Sequence, residues 1–117
     1  MRDKKNQHLN QAAQQSAQQP AVAHLEVLNG ALVGTRYPLG AETIIGRNDE
    51  EVPLPSGGIH LPDTRVSRKH ARVFTQRGRY YLEDCHSTNG TLLNAFRLQP
   101  GAPAVLREGS NIQVGSV

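Results

Sequence analysis

The sequence predicts an all-β domain, a sandwich or barrel, and three observations carry that expectation. From Pro20 onward, short apolar runs are cut about every 8 to 12 residues by Gly, Pro, Asn or Asp, the rhythm of strands joined by tight turns. No stretch of helical length keeps a 3.6-residue apolar period. Asn29-Gly30, Arg77-Gly78 and Asn89-Gly90 are turn dipeptides that supply the positive φ angles of tight hairpins.

Taken in order, the candidate strands are His24 to Leu28, Thr35 to Leu39, Thr43 to Ile45, Gly58 to Leu61 and His70 to Thr75. Arg79 to Asp84, Thr91 to Leu93, Phe96 to Leu98, Ala104 to Arg107 and Asn111 to Val114 follow. Each is a β-branched, Leu or aromatic run bounded by turn formers. Before them, residues 1–22 are rich in Gln, Asn and Ala and hold almost no large apolar side chain, so they read as a disordered tail or linker. That tail contains Ser16 but no threonine, the first being Thr35. Residues 23–117 form the single folded domain, as 117 residues suffice for one core and not two.

Composition narrows the function. The apolar share is 37%, with no Trp and five Phe and Tyr in total, so the core rests on Leu, Val, Ile and Ala. No apolar run approaches the ~20 residues of a membrane helix, and the start lacks the apolar stretch of a signal peptide. A lone Cys85 forms no internal disulfide and supplies no Cys-rich zinc site, in keeping with a cytoplasmic location. His8, His24, His60, His70 and His86 have no metal-ligand spacing, so neither metal nor cofactor is expected. The net charge of +3 is uneven: Arg2, Lys4 and Lys5 sit in the tail, and Arg65, Arg68, Lys69 and Arg72 crowd one short stretch. Such a stretch is ordinarily a solvated face, although it also suits an anionic partner.

Three clusters of donors fall at strand ends: Gly46-Arg47, then Ser67-Arg68-Lys69-His70, then Ser87-Thr88-Asn89-Gly90-Thr91. Arg47 offers a planar fork matched to two phosphate oxygens, Ser67 and Thr88 offer hydroxyls, and the loops offer backbone N–H groups. Donors converging from separate loops are what recognition of a phosphoryl group requires. Cys85-His86 is no nucleophile and base, since neighbouring strand residues face opposite ways. His70 has no third group to orient it beside Ser67, and reads as a loop-bridging imidazole. No enzyme is expected.

In this order and spacing, the three clusters resemble the signature of the forkhead-associated (FHA) domain, a module that binds phosphothreonine peptides. Leu28-Asn29-Gly30, Ile44-Ile45-Gly46-Arg47, Leu61-Pro62-Asp63 and Ile112-Gln113-Val114-Gly115 extend the resemblance over about residues 23 to 115. It implies an antiparallel β-sandwich of about eleven strands with ligand loops at one end. It also implies that Arg47 and Ser67 contact the phosphate, that Thr88 and Arg68 assist, and that Asn89 holds the peptide backbone. Gly46, His70 and Gly90 are then framework, and Arg65 is a selector of an acid three positions after the phosphothreonine. The implied partner is a phosphothreonine protein downstream of a Ser/Thr kinase, met by a monomer.

Two departures accompany the resemblance. The family closes with a further strand, whereas this sequence stops at Val117, so either the final strand is clipped or the fold closes differently, and an unpaired edge beside the first strand would be a weak point. The Arg47 to Ser67 connection is long, with Asp49-Glu50-Glu51 and Ser56-Gly57-Gly58 as an insertion whose acids oppose an anionic peptide. The rival readings are a sandwich scaffold making phosphate-independent contacts and a nucleic-acid binder. The first ignores Arg47, Ser67 and Asn89, and the second lacks an exposed aromatic platform or a helix for a groove. Neither nucleic acid nor membrane is an expected partner.

Overall fold

The computed structural model describes residues 2–4, 23–48 and 53–117. Among the described residues eleven strands follow one another: β1 (Arg2–Lys4), β2 (His24–Glu26), β3 (Arg36–Pro38), β4 (Glu42–Gly46), β5 (Ile59–His60), β6 (Ala71–Gln76), β7 (Arg79–Asp84), β8 (Thr91–Leu93), β9 (Phe96–Arg97), β10 (Ala104–Leu106) and β11 (Ile112–Val114). No helix occurs among the described residues. The ten strands expected from the sequence are all present, with ends that agree to within two residues. Within the segment read as a tail, β1 pairs antiparallel with β2 in the register Arg2↔Glu26 and Lys4↔His24. The remaining positions of 1–22 lie outside the described residues, as does the acidic run at 49–51.

A five-stranded sheet, in the order β10-β7-β6-β4-β5, faces two three-stranded sheets, β1-β2-β3 and β11-β8-β9. Alternation sorts each strand. Ala71 and Val73 of β6 face inward while Arg72 and Phe74 face out, so the strand can be apolar on one side only. One core results, drawing Leu25 from the β1-β2-β3 sheet and Val27 just beyond it, Ile45, Val73 and Leu82 from the five-stranded sheet, and Ile112 and Val114 from the β11-β8-β9 sheet. Each such side chain contributes about 1.5–3 kcal/mol on full burial, which is why Leu, Ile and Val suffice without Trp.

The β6–β7 hairpin turns on Arg77 and Gly78, both at positive φ (53° and 77°), the twist that matches flanking strands. One pairing departs from the expected antiparallel pattern: β4 and β5 run parallel through Ile45↔Ile59 and Gly46↔His60. A connection of a dozen residues between them replaces a hairpin, and that length permits a parallel return. Outside the sheet, Arg72 bonds Glu83 at 2.8 Å and Glu42 at 2.7 Å while lying 4.2 Å over the Phe74 ring. Its charge is therefore spent on the sheet face.

Register sets the site. Ile45, Ala71 and Asp84 form one row across β4, β6 and β7. Gly46-Arg47, Ser67 to His70, and Cys85 to Gly90 are the segments adjoining that row, so three loops emerge together at one end of the five-stranded sheet.

Candidate functional site

Ser67 joins these loops through three different groups. Its carbonyl accepts the Arg47 N–H at 3.0 Å, its N–H donates to His70 Nδ1 at 3.0 Å, and its Oγ accepts the Thr88 N–H at 3.1 Å. Because Oγ acts as acceptor there, the hydroxyl proton remains to donate elsewhere. Gly46 makes the close approach possible, since a Cβ at this position would collide with the Arg68 carbonyl.

His70 is fully buried and bridges the second and third loops. With Nδ1 accepting from Ser67, the tautomer places the proton on Nε2, which donates to the Gly90 carbonyl at 2.8 Å. Its own N–H donates to the Ile45 carbonyl at 2.9 Å and its carbonyl accepts from Cys85 at 2.8 Å. Every polar group of this side chain is thus used to hold loops.

Asn89 is exposed and donates from Nδ2 to the Arg65 carbonyl at 2.8 Å, a bond that uses one of its two amide protons. Arg47 is half-buried and donates from Nη1 to the Thr64 carbonyl at 3.2 Å, which spends one of its five donors. Arg65 and Thr88 are exposed. Hydrogen bonds thus tie Arg47 and Thr88 to Ser67, and Asn89 to Arg65, and the two sets meet where Asn89 follows Thr88 in the chain. Arg68 is placed differently: with Lys69 it lines a cavity of about 360 Å³ formed by Glu42, Ile44 and Pro53 to Pro55.

Two aspartates that the sequence reading left without a role support this surface. Asp84 accepts hydroxyl bonds from Ser87 and Thr91 and the Ser87 N–H at 3.1 Å, and Ser87 Oγ in turn accepts from Gly90. Burial alone drives the Asp84 carboxyl upward, but these hydrogen bonds outweigh it and hold it below the ordinary value of 3.8. Asp63 is likewise held below 3.8, first by the Arg65 N–H and then by the Ser116 N–H. The Asp-x-x-Ser spacing from Asp84 to Ser87 was the available sign of such a turn. Burial pushes the Cys85 thiol above 9.0, opposite to the activation a nucleophile needs. Among the described residues, no group of His, Cys, Asp and Glu is arranged to hold a metal ion, and no helix is long and apolar enough to cross a membrane.

Known proteins are similar to this chain in sequence and fold. Residues 43–115 match the family profile described as FHA domain. The FHA domain-containing protein FhaB of Mycolicibacterium smegmatis is 38% identical over 86 residues, covering 68% of this chain and 52% of that protein. The chain thus spans about half the length of this curated relative. A solved structure of phosphothreonine-dependent FHA domain interactions has a TM-score of 0.65 at 32% identity, over 80% of this chain and 88% of that one. Mycobacterium tuberculosis EmbR, solved with a low-affinity phosphopeptide, has a TM-score of 0.68 at 30% identity, over 85% of this chain and 24% of that one.

Proposed function

This chain belongs to the FHA domain family, and from that membership we propose that it binds a phosphothreonine segment of a partner protein and couples a cytoplasmic Ser/Thr kinase to assembly. The observation that carries the reading is the use of Ser67: its backbone N–H and carbonyl and its Oγ acceptor join three loops, one of them through the Arg47 N–H, while the hydroxyl proton stays available to donate. A phosphate presents about −1.5 to −2 charge and three acceptor oxygens to such a set. Arg47 supplies the charge and paired geometry, Ser67 and the Thr88 hydroxyl supply neutral donors, and Asn89 meets the peptide backbone with the groups that Arg65 leaves unused.

Each charge-assisted bond contributes on the order of 1.5–3 kcal/mol, and ordering an extended peptide offsets part of the sum. The balance corresponds to low-micromolar dissociation, or roughly −8 kcal/mol. That two related structures are of phosphothreonine-dependent interactions and of a phosphopeptide complex supports the reading. An oriented phosphothreonine peptide library, run beside its unphosphorylated counterpart, tests it. Selective retention of phosphorylated members is expected, and equal retention of both would favour the phosphate-independent scaffold instead.

A further inference from the structure

Arg65 is held from two sides by its backbone and crowded from a third. Its N–H donates to Asp63 Oδ1 at 2.9 Å, its carbonyl accepts from Asn89 Nδ2 at 2.8 Å, and its Cβ stands 3.2 Å from where a Cβ on Gly115 would be. The other Asp63 oxygen, Oδ2, accepts the Ser116 N–H at 2.9 Å from 53 residues away. Asp63 also accepts the Val66 N–H on its backbone carbonyl at 2.9 Å, which closes the turn that delivers Ser67. One side chain therefore fastens the loop bearing Arg65 and Ser67 to a turn outside the ligand surface.

Gly115 approaches the same loop independently. It sits at φ +58°, and a Cβ there would lie 2.8 Å from Val66 Cγ2 and 3.1 Å from the Arg65 carbonyl carbon. Val66 is itself buried in the core, so it cannot retreat freely. The 114–117 turn is closed by mutual bonds between Val114 and Val117, at 3.2 and 2.9 Å. A rigid turn thus seats the loop by a carboxylate bridge on one side and by contact on the other.

We propose that Asp63 is a positioning residue for the ligand surface, and that the Gly115–Ser116 turn it binds sets peptide affinity without touching peptide. The proposal rests on the phosphothreonine reading given above. A carboxylate suits the post because it accepts two N–H bonds at once, whereas an amide accepts through one oxygen and turns an NH2 group toward the other donor. Loss of either support frees the Arg65 carbonyl to drift, and with it the Asn89 side chain and the Ser67 hydroxyl.

The test compares Asp63→Asn, Gly115→Ala and the double variant for phosphothreonine-peptide affinity, well below the melting temperature of each, with backbone amide spectra of the free proteins. Each single variant should bind about tenfold more weakly, and the double variant about as weakly as the worse single one, since both act through one loop. Amide shifts should reach Ser67, Thr88 and Asn89. A merely structural role would lower the melting temperature while leaving affinity of the folded protein unchanged. Wild-type affinity in Asp63→Asn, or shifts confined to residues 63–66 and 114–117, would overturn the proposal. If Gly115→Ala does not fold, Asp63→Asn decides alone. If the unmodified protein binds no phosphopeptide, the function is wrong, and the amide shifts still decide whether Asp63 positions the surface.

Discussion

His70 Nε2 lies 2.8 Å from the Gly90 carbonyl oxygen, and this one bond joins the loop that carries Ser67 to the loop that carries Thr88 and Asn89. The ring's other nitrogen accepts from Ser67, so the imidazole is a strut of fixed tautomer between two sets of donors. Its burial keeps water from substituting for either bond.

His70→Ala is accordingly expected to lower stability and binding together. Removing the ring leaves the Ser67 N–H and Gly90 carbonyl unpaired and opens a void, a combined cost of about 3 kcal/mol. For a domain of this size that amounts to a fall of roughly 10 °C or more in Tm. Thermal unfolding and peptide titration on the same sample check this. An unchanged Tm with lost binding would make His70 a direct ligand contact.

Acid should weaken the fold through Asp63 and Asp84. Both carboxyls sit below their ordinary value of 3.8 in the folded chain, so each contributes stability that is fully present above that value. The contribution is lost as pH falls through 3.8 toward the lower folded value. Unfolding curves between about pH 6 and pH 2.5 should show Tm dropping below about pH 4, with a shallower drop in Asp84→Asn, whose starting stability is already reduced. An identical acid limb in that variant would remove Asp84 from the account.

Arg65 is exposed and anchored by its backbone, which leaves its guanidinium to meet an acid three positions after the phosphothreonine. Exposed ion pairs contribute about 0–1 kcal/mol and are screened by salt, so the effect should be small and largest at low ionic strength. A double-mutant cycle between Arg65→Ala and replacement of that peptide acid by Ala should give a coupling of about 0.5 kcal/mol. A coupling of zero at low salt would leave Arg65 with a backbone role only.

Deleting residues 1–22 removes β1 from the edge of β2, and Tm should fall by a few degrees because only three residue pairs are lost. Phosphopeptide affinity should not change, even after kinase treatment, since the deleted segment has no threonine to compete in cis. A several-fold gain in affinity on deletion would reveal an inhibitory contact.

How much of this was legible in the sequence depends on distance along the chain. Ten strands could be read because β-branched runs and Gly-containing turns are local signals, and Arg47, Ser67, Thr88 and Asn89 stood out as donors at strand ends. β1 could not be read: Arg-Asp-Lys carries no strand signal, and its pairing exists only because the β2 edge does. The β8–β9 turn uses Asn94 and Ala95 at positive φ (51° and 72°) without a glycine to announce it. Arg72 looked like part of a basic patch until its pairing with Glu42 and Glu83, from other strands, was in view. The tasks of Asp63 and Gly115 were hidden because their partners, Ser116 and Val66, lie some 50 residues away.

The central claim is that Arg47 forks onto a phosphate, and calorimetry on Arg47→Ala and Arg47→Lys with one phosphothreonine peptide tests it most directly. The side chain gives one hydrogen bond to the Thr64 carbonyl, so both variants should fold with nearly unchanged Tm. Binding should vanish in Arg47→Ala and fall by at least about tenfold in Arg47→Lys, because an ammonium cannot reproduce the paired geometry. Near wild-type affinity in either variant would contradict the assignment of this surface to phosphate.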